Sequence, residues 1–209
     1  MMLQAVAHDV KNKLSELALR LMECDIEAAG LALDAAQQLS HALLLDDPEK
    51  IIPQIEARCP IELAEEMVAV YAQLFPDKLV TSDITNCPNT WYYDIELMRL
   101  AISNAMHNAC KHGAAKIAIR IYVEDSNLVF EIRNDGHEFP TSMLFNHWES
   151  MTPHESTQRD HRQSTKNGIG LLLSYKIVHA HTNDNSGAIR HGQLILENDN
   201  GAVARLIIP

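Results

Sequence analysis

The sequence predicts an α+β protein in which an N-terminal helical hairpin precedes a two-layer α/β sandwich, and three observations carry that prediction. First, Leu3, Val6, Val10, Leu14, Leu17 and Leu21 follow one another at steps of three and four, the spacing of one apolar stripe on a helix. Second, the texture changes at Pro60, beyond which helical and strand-like segments mix. Third, Ile117, Ile119, Ile121 and Val123, then Leu128, Phe130 and Ile132, alternate strictly, the signature of half-buried strands.

Taken in order, the first stripe is a bundle helix that ends near Glu23 to Asp25. A second periodic segment runs through Ile26, Ala29, Leu33, Ala36 and Leu43, and Ala28, Ala32, Ala35 and Ala42 make it apolar on more than one side. A helix with two apolar sides needs two neighbours, so two hairpins are expected to dimerise into a four-helix bundle. The hairpin is assigned to residues 1–47, a linker opening at Asp46-Asp47-Pro48 to 48–59, and the sandwich to 60–209. Within the sandwich, Pro60 opens a helix to about Phe75 and a longer helix spans roughly Asp94 to Lys111. The two alternating strands meet near Asp125-Ser126-Asn127, a further helix covers about Gly170 to His181, and two last strands flank Asp199-Asn200-Gly201. The polar stretch from Met143 to Asn167 has the length and composition of a lid.

With 209 residues, the chain is long enough to bury a core without disulfides or a structural metal. Its 17 basic and 28 acidic side chains give a net charge of −11, which argues against nucleic acid or an anionic bilayer as a partner. No apolar run reaches the roughly 20 residues of a membrane span, and the start carries charge too early for a signal peptide, so a cytoplasmic location is expected. Cys24, Cys59, Cys87 and Cys110 have no CxxC spacing and receive no chemistry.

Four segments have residues suited to phosphoryl chemistry. His8 lies opposite the apolar stripe of the first helix, with Asn12 one turn on; a solvent-facing imidazole can attack phosphorus, and Asp9 can hold its tautomer or take its proton. Asn104, Asn108 and Lys111 fall within a narrow arc of the helix before the strands, where an amide oxygen suits Mg²⁺ and an ammonium suits phosphate. Asn134-Asp135-Gly136 follows a strand and would form a floor beneath a nucleotide base. Gly168-Ile169-Gly170-Leu171 opens a helix, where free N–H groups and the helix dipole receive phosphate. Each segment has an ordinary alternative: a surface histidine, a solvated helix face, a turn, a glycine-rich helix start. No Walker loop, complete GxGxxG or GxSxG elbow is present.

In this order and spacing the segments resemble the boxes of two-component sensor histidine kinases, over nearly the whole chain. Val6-Ala7-His8-Asp9-Val10-Lys11-Asn12-Lys13-Leu14 looks like the H-box, which implies His8 as phosphoacceptor, Asp9 as its acidic neighbour and Asn12 as an aid to phosphatase activity. Asn104-Ala105-Met106-His107-Asn108-Ala109-Cys110-Lys111-His112-Gly113 resembles the N-box, implying that Asn108 binds Mg²⁺ with Asn104 and Lys111 near the phosphates of ATP. Gly168 and Gly170, followed by Lys176-Ile177-Val178-His179-Ala180-His181, are similar to the G2 box and its helix, and Arg205-Leu206-Ile207-Ile208-Pro209 to the closing strand.

The chain departs from the family pattern at several places. Asn134 stands where the family has an Asp that reads the adenine amino group, Glu138 replaces the second glycine of that box after Gly136, Lys166 replaces the first lid glycine, and Lys13 replaces the H-box proline. Losing the carboxylate implies weaker nucleotide binding, by roughly 1 to 2 kcal/mol. An Asn134→Asp change is expected to restore it. The resemblance implies a homodimeric kinase core that uses ATP and Mg²⁺ to phosphorylate His8 and passes the phosphoryl group to a response regulator receiver domain. The alternatives are an ATP-independent dimeric histidine phosphotransferase relaying phosphate between receiver domains, and a scaffold that only docks a regulator.

Overall fold

The computed structural model describes residues 13–14, 16–18, 20–21, 24–26, 28–32, 35, 38–39, 51–144, 167–183 and 189–209. Toward the N-terminus, the described residues are helical on both sides of a turn at Cys24 and Asp25. Asp25 Oδ1 accepts the Ala28 N–H at 2.9 Å and so caps the second helical stretch. Ala18, Ala29 and Ala32 are buried, whereas Leu17, Ile26 and Leu31 are exposed. His8, Asp9, Asn12 and the four-helix bundle lie outside the described residues.

The rest is an α+β sandwich. Strand β1 (Glu56–Arg58) precedes helix α1 (Pro60–Leu74), β2 (Leu79–Asn86), β3 (Trp91–Tyr93), α2 (Ile95–Lys111), β4 (Lys116–Glu124) and β5 (Asn127–Asn134). The short α3 (Thr141–Leu144), α4 (Asn167–Ala180), β6 (Thr182–Asn183), β7 (Arg190–His191), β8 (Gln193–Asn198) and β9 (Ala202–Ile208) follow. The main sheet is mixed, in the order β2-β4-β5-β9-β8, with only the β2–β4 pair parallel. Strand β1, from the expected linker, pairs antiparallel with β3 of the sandwich beside it, with Arg58 opposite Trp91.

The alternation read from the sequence sets the two faces. Ile119 pairs with Ile132, Ile121 with Phe130, and Phe130 with Leu206, so one face is a row of apolar side chains under the helices. These residues, with Leu63, Met67, Met98, Ile102, Leu172 and Ile177 from the helices, form one buried cluster. The other face has ion pairs instead: Glu131 lies 3.2 Å from Arg205 and 3.6 Å from Arg133, and accepts the Tyr122 hydroxyl at 3.1 Å. Tight turns close the hairpins, with positive φ at Asp125 and Ser126 and at Asn200 and Gly201.

Helices α2 and α4 run antiparallel and are tied at both ends. At one end Asp94 caps α2 through Leu97 N–H (3.0 Å), while its own N–H donates to His181 Nε2 (3.1 Å) just beyond α4. His181 Nδ1 pairs with the Ile177 carbonyl at 2.8 Å, so the buried imidazole is neutral with its proton on Nδ1. The second Asp94 carboxylate oxygen accepts the Gln54 N–H at 2.8 Å and anchors the segment that leads into β1. Nearer the other end, Asn104 Nδ2 donates to the Gly170 carbonyl (3.2 Å), and the Ser174 hydroxyl meets the carbonyls of Ala101 (3.1 Å) and Gly170 (3.0 Å).

Two outcomes follow. Burial pushes the His181 imidazole below its ordinary value, so the native state resists a proton that the unfolded chain takes up near pH 6.5. Stability is then complete above pH 6.5 and falls as the pH drops below it. Thermal melts from pH 8 to pH 5 should show that loss, with a flatter dependence in His181→Gln; His112, also lowered by burial, keeps part of the slope. Asn104→Ala removes one donor from the Gly170 carbonyl and should cost about 1 to 3 kcal/mol in denaturant unfolding. A melt indistinguishable from wild type would remove Asn104 from the clamp.

Candidate functional site

Below the start of α4, between α2 and the β5–β9 edge of the apolar sheet face, lies a cavity of about 260 Å³. Ala105 and Ala109 of α2, Ile132 of β5, Ala202 and Ala204 of β9, Leu171 of α4, and Phe139, Pro140 and Met143 supply its apolar wall. Among the described residues its polar lining is Asn108, His112, Asn134, His137 and Glu138, without a lysine or arginine. The small residues have a clear effect: four alanines leave space where Leu or Ile at the same positions would fill it.

Helix geometry explains which N-box residues reach this space. The contacts Ala101–Ser174 and Asn104–Gly170 advance along α2 while retreating along α4, so one further turn brings Asn108 level with the first residues of α4. Asn108 is half-buried on the cavity wall, and among the described residues its side-chain amide has no hydrogen-bond partner. Asn104 is buried behind the wall, with its amide on Gly170, and is not a lining residue. Lys111 is exposed at the end of α2 and also stands off the lining. Gly168 and Gly170 lie in the first turn of α4, and Lys166 is outside the described residues.

The floor is a set of interlocked turns. Asn134, 8% exposed, donates through Nδ2 to the Ala202 carbonyl (3.2 Å) and accepts the Gly136 N–H through Oδ1 (3.0 Å). Asp135 turns the other way: Oδ1 accepts the N–H groups of both Ala115 and Lys116 at 2.8 Å, and those bonds hold its carboxyl below the ordinary value. A Cβ on Gly136 would come within 2.7 Å of the Ala114 nitrogen and the His112 oxygen, so glycine is required by backbone packing alone. His137 N–H donates to the His112 carbonyl, and burial, with nearby His137 and Lys111, lowers the His112 imidazole.

Residues that sequence reasoning missed complete the site. Asn198 on β8 grips the backbone of Phe139 from both sides, its amide accepting the Phe139 N–H and donating to the Phe139 carbonyl, each at 2.9 Å. Nothing in the sequence singles out that asparagine, which acts across 59 residues. His112 has no role beyond its place in the N-box segment and His137 none at all in the sequence reading, and only the pairing of two loops brings them to one cavity. The Asn134 amide also changes one expectation: a carboxylate there would place an oxygen against the Ala202 carbonyl, so Asn134→Asp loses a structural bond.

Residues 93–209 match the model of the histidine kinase-, DNA gyrase B- and HSP90-like ATPases. No curated protein matches the chain in sequence at a significant level. Solved structures agree on the fold. The histidine kinase AdeS of Acinetobacter baumannii shares 14% identity over 95% of this chain and 94% of its own, with a TM-score of 0.58. The ATP binding domain of PrrB from Mycobacterium tuberculosis shares 21% over 74% of this chain and 96% of its own, at 0.54. Full-length ShkA, solved in complex with AMPPNP, shares 13% over 99% of this chain and 44% of its own, at 0.62. Sheet order, the cavity between α2 and α4, and a family match covering more than half of the sequence converge: the chain belongs to the histidine kinase-, DNA gyrase B- and HSP90-like ATPase family.

Proposed function

We propose that the chain is a sensor histidine kinase core that binds Mg-ATP in the α2–α4 cavity, phosphorylates His8 and passes the phosphoryl group to an aspartate of a response regulator. The observation that carries this reading is the family match over a cavity whose wall offers the amide of Asn108, unpartnered among the described residues, beside the first turn of α4. An apolar slot fits a flat heteroaromatic ring, and an amide oxygen at its end fits a hard cation that takes its remaining ligands from phosphate and water. Mg²⁺, when bound, would neutralise phosphate charge, with Asn108 as its protein ligand. The chain's own part is positioning: α2 and α4 hold the nucleotide, and His8 supplies the nucleophilic nitrogen with Asp9 able to take its proton. The exposed Leu17, Ile26 and Leu31 support pairing of two hairpins in a homodimer.

A second reading, the ATP-independent relay through His8, is favoured by the cavity lining, where Glu138 stands at the rim and the described residues include no lysine or arginine. Titration with Mg-ATP separates the two. The kinase reading expects saturable binding that weakens at least about tenfold in Asn108→Ala, on the scale of one charge-assisted contact. Absent binding, or binding indifferent to that change, selects the relay.

Two further outcomes test the hairpin. His8→Ala should abolish acid-labile phosphorylation from labelled ATP while leaving nucleotide affinity and circular dichroism unchanged; label retained at the wild-type level would place the phosphoacceptor elsewhere. Light scattering at micromolar concentration should give twice the 23.4 kDa of one chain, and a monomer persisting at high concentration would overturn the bundle.

A further inference from the structure

Asn134 is the most enclosed polar group on the cavity wall, and the bonds it already makes determine what it can offer a ligand. A carboxamide has two N–H donors and an oxygen with two lone pairs. One N–H is taken by the Ala202 carbonyl and one lone pair by the Gly136 N–H. The amide is not free to flip, because reversal would set oxygen against a carbonyl and NH₂ against an N–H. One donor and one acceptor remain on a side chain that is held in place and belongs to a residue lining the cavity.

We propose that Asn134 makes this a purine site of relaxed specificity, one that accepts 6-oxopurine nucleotides, with guanine or hypoxanthine as the base, as well as adenine nucleotides. The inference rests on the nucleotide-binding reading above and adds the class of base. A group that only accepts hydrogen bonds rewards an exocyclic amino group and repels a carbonyl. The Asn134 amide does neither exclusively. It can give its N–H to a ring nitrogen and take an amino hydrogen, as asparagine does in two-point pairing with adenine. It can also give the N–H to the O6 carbonyl of a 6-oxopurine and take the hydrogen on N1. Strong discrimination by a buried polar site needs a mismatch that leaves a group unpaired, and neither purine leaves this donor unpaired.

The rest of the wall does not restore selectivity. Ala105, Ala109, Ile132, Leu171 and Ala204 have no polar side-chain atoms and judge a base only by shape. His112 and His137 bring imidazole rings, whose nitrogens can donate or accept according to tautomer and so do not by themselves select one purine. Asn108 stands at the α4 end of the cavity, and Glu138 is exposed at its rim.

Isothermal titration of the full chain with Mg-ATP, Mg-GTP and Mg-ITP tests this. ITP has the O6 carbonyl without the 2-amino group, so it separates recognition of the carbonyl from the fit of that amino group. In the wild type, ITP should bind within about tenfold of ATP, the scale of a single hydrogen bond. In Asn134→Asp the preference for ATP over ITP should widen by at least about tenfold, whatever the variant loses in stability with the Ala202 bond. If that variant does not fold, the wild-type ratio decides alone. ITP and GTP both bound more than about a hundredfold more weakly than ATP would overturn the proposal and leave the nucleotide site standing. No heat with any of the three nucleotides would overturn the nucleotide reading itself, and this proposal with it.

Discussion

Two helices running in opposite directions, α2 and α4, are clamped by buried polar groups near both of their ends, and the cavity exists because of that clamp. Apolar packing alone is non-directional and would allow one helix to slide along the other at modest cost. Asp94 with His181 at one end, and Asn104 with Gly170 and Ser174 nearer the other, admit one register, since a slip would leave buried donors and acceptors unpaired. That register sets Asn108 beside the start of α4 and leaves the alanines of α2 facing Leu171 and β9 across open space. The polar groups therefore contribute less through their own net energy than through the alternatives they exclude.

The same logic governs the floor. Asn134 and Asp135 are adjacent at the end of β5, and their side chains face opposite ways: one into β9, the other onto the α2–β4 connection. The turn is thus pinned on both sides, and Gly136 is pressed against the backbone of Ala114 with no room for a side chain. Gly201 completes the contact from β9, where a Cβ would meet the Asn134 carbonyl at 2.0 Å. Glycine and short amides recur here because three backbone segments meet at a distance that larger side chains forbid. A loop with so few spare degrees of freedom presents its remaining polar positions without a large ordering cost on binding.

The fold was largely legible in the sequence wherever polar side chains alternate with apolar ones. The alternation at Ile117 to Val123 and Leu128 to Ile132 located β4 and β5 because their outer face bears Arg120, Tyr122, Glu131 and Arg133, although Glu131 and Val129 are buried on that face. Strand β2 was not seen: Thr81, Ser82, Asp83 and Thr85 give an edge strand with little buried face, and its parallel pairing with β4 needs no local turn signal. The short β1 and β3 escaped for want of length, and their pairing draws the end of the expected linker into the domain. In the site, the sequence pattern located Asn108 and Asn134 at the cavity, whereas the burial of Asn104 required the partner helix to be known. Helical periodicity puts a residue on an arc; the neighbour across that arc decides between ligand and clamp.

The charge balance bears on how such a site would hold a phosphorylated ligand. A chain with net charge −11 repels a polyphosphate at long range, and among the described residues the cavity lining adds Glu138 without a lysine or arginine to offset it. Solvent and salt weaken that repulsion beyond about 10 Å, so its remaining influence is local. Locally, the compensating groups are partial charges: the N–H groups at the start of α4 and the amide of Asn108 with any cation it coordinates. The apolar wall, by contrast, is made of side chains already packed in the core, and contact with a flat ring needs no charge. On the proposed reading, the balance of affinity therefore shifts from the phosphates toward the base, and Asn134, the most enclosed polar side chain of the described lining, has the larger influence on which nucleotide is held.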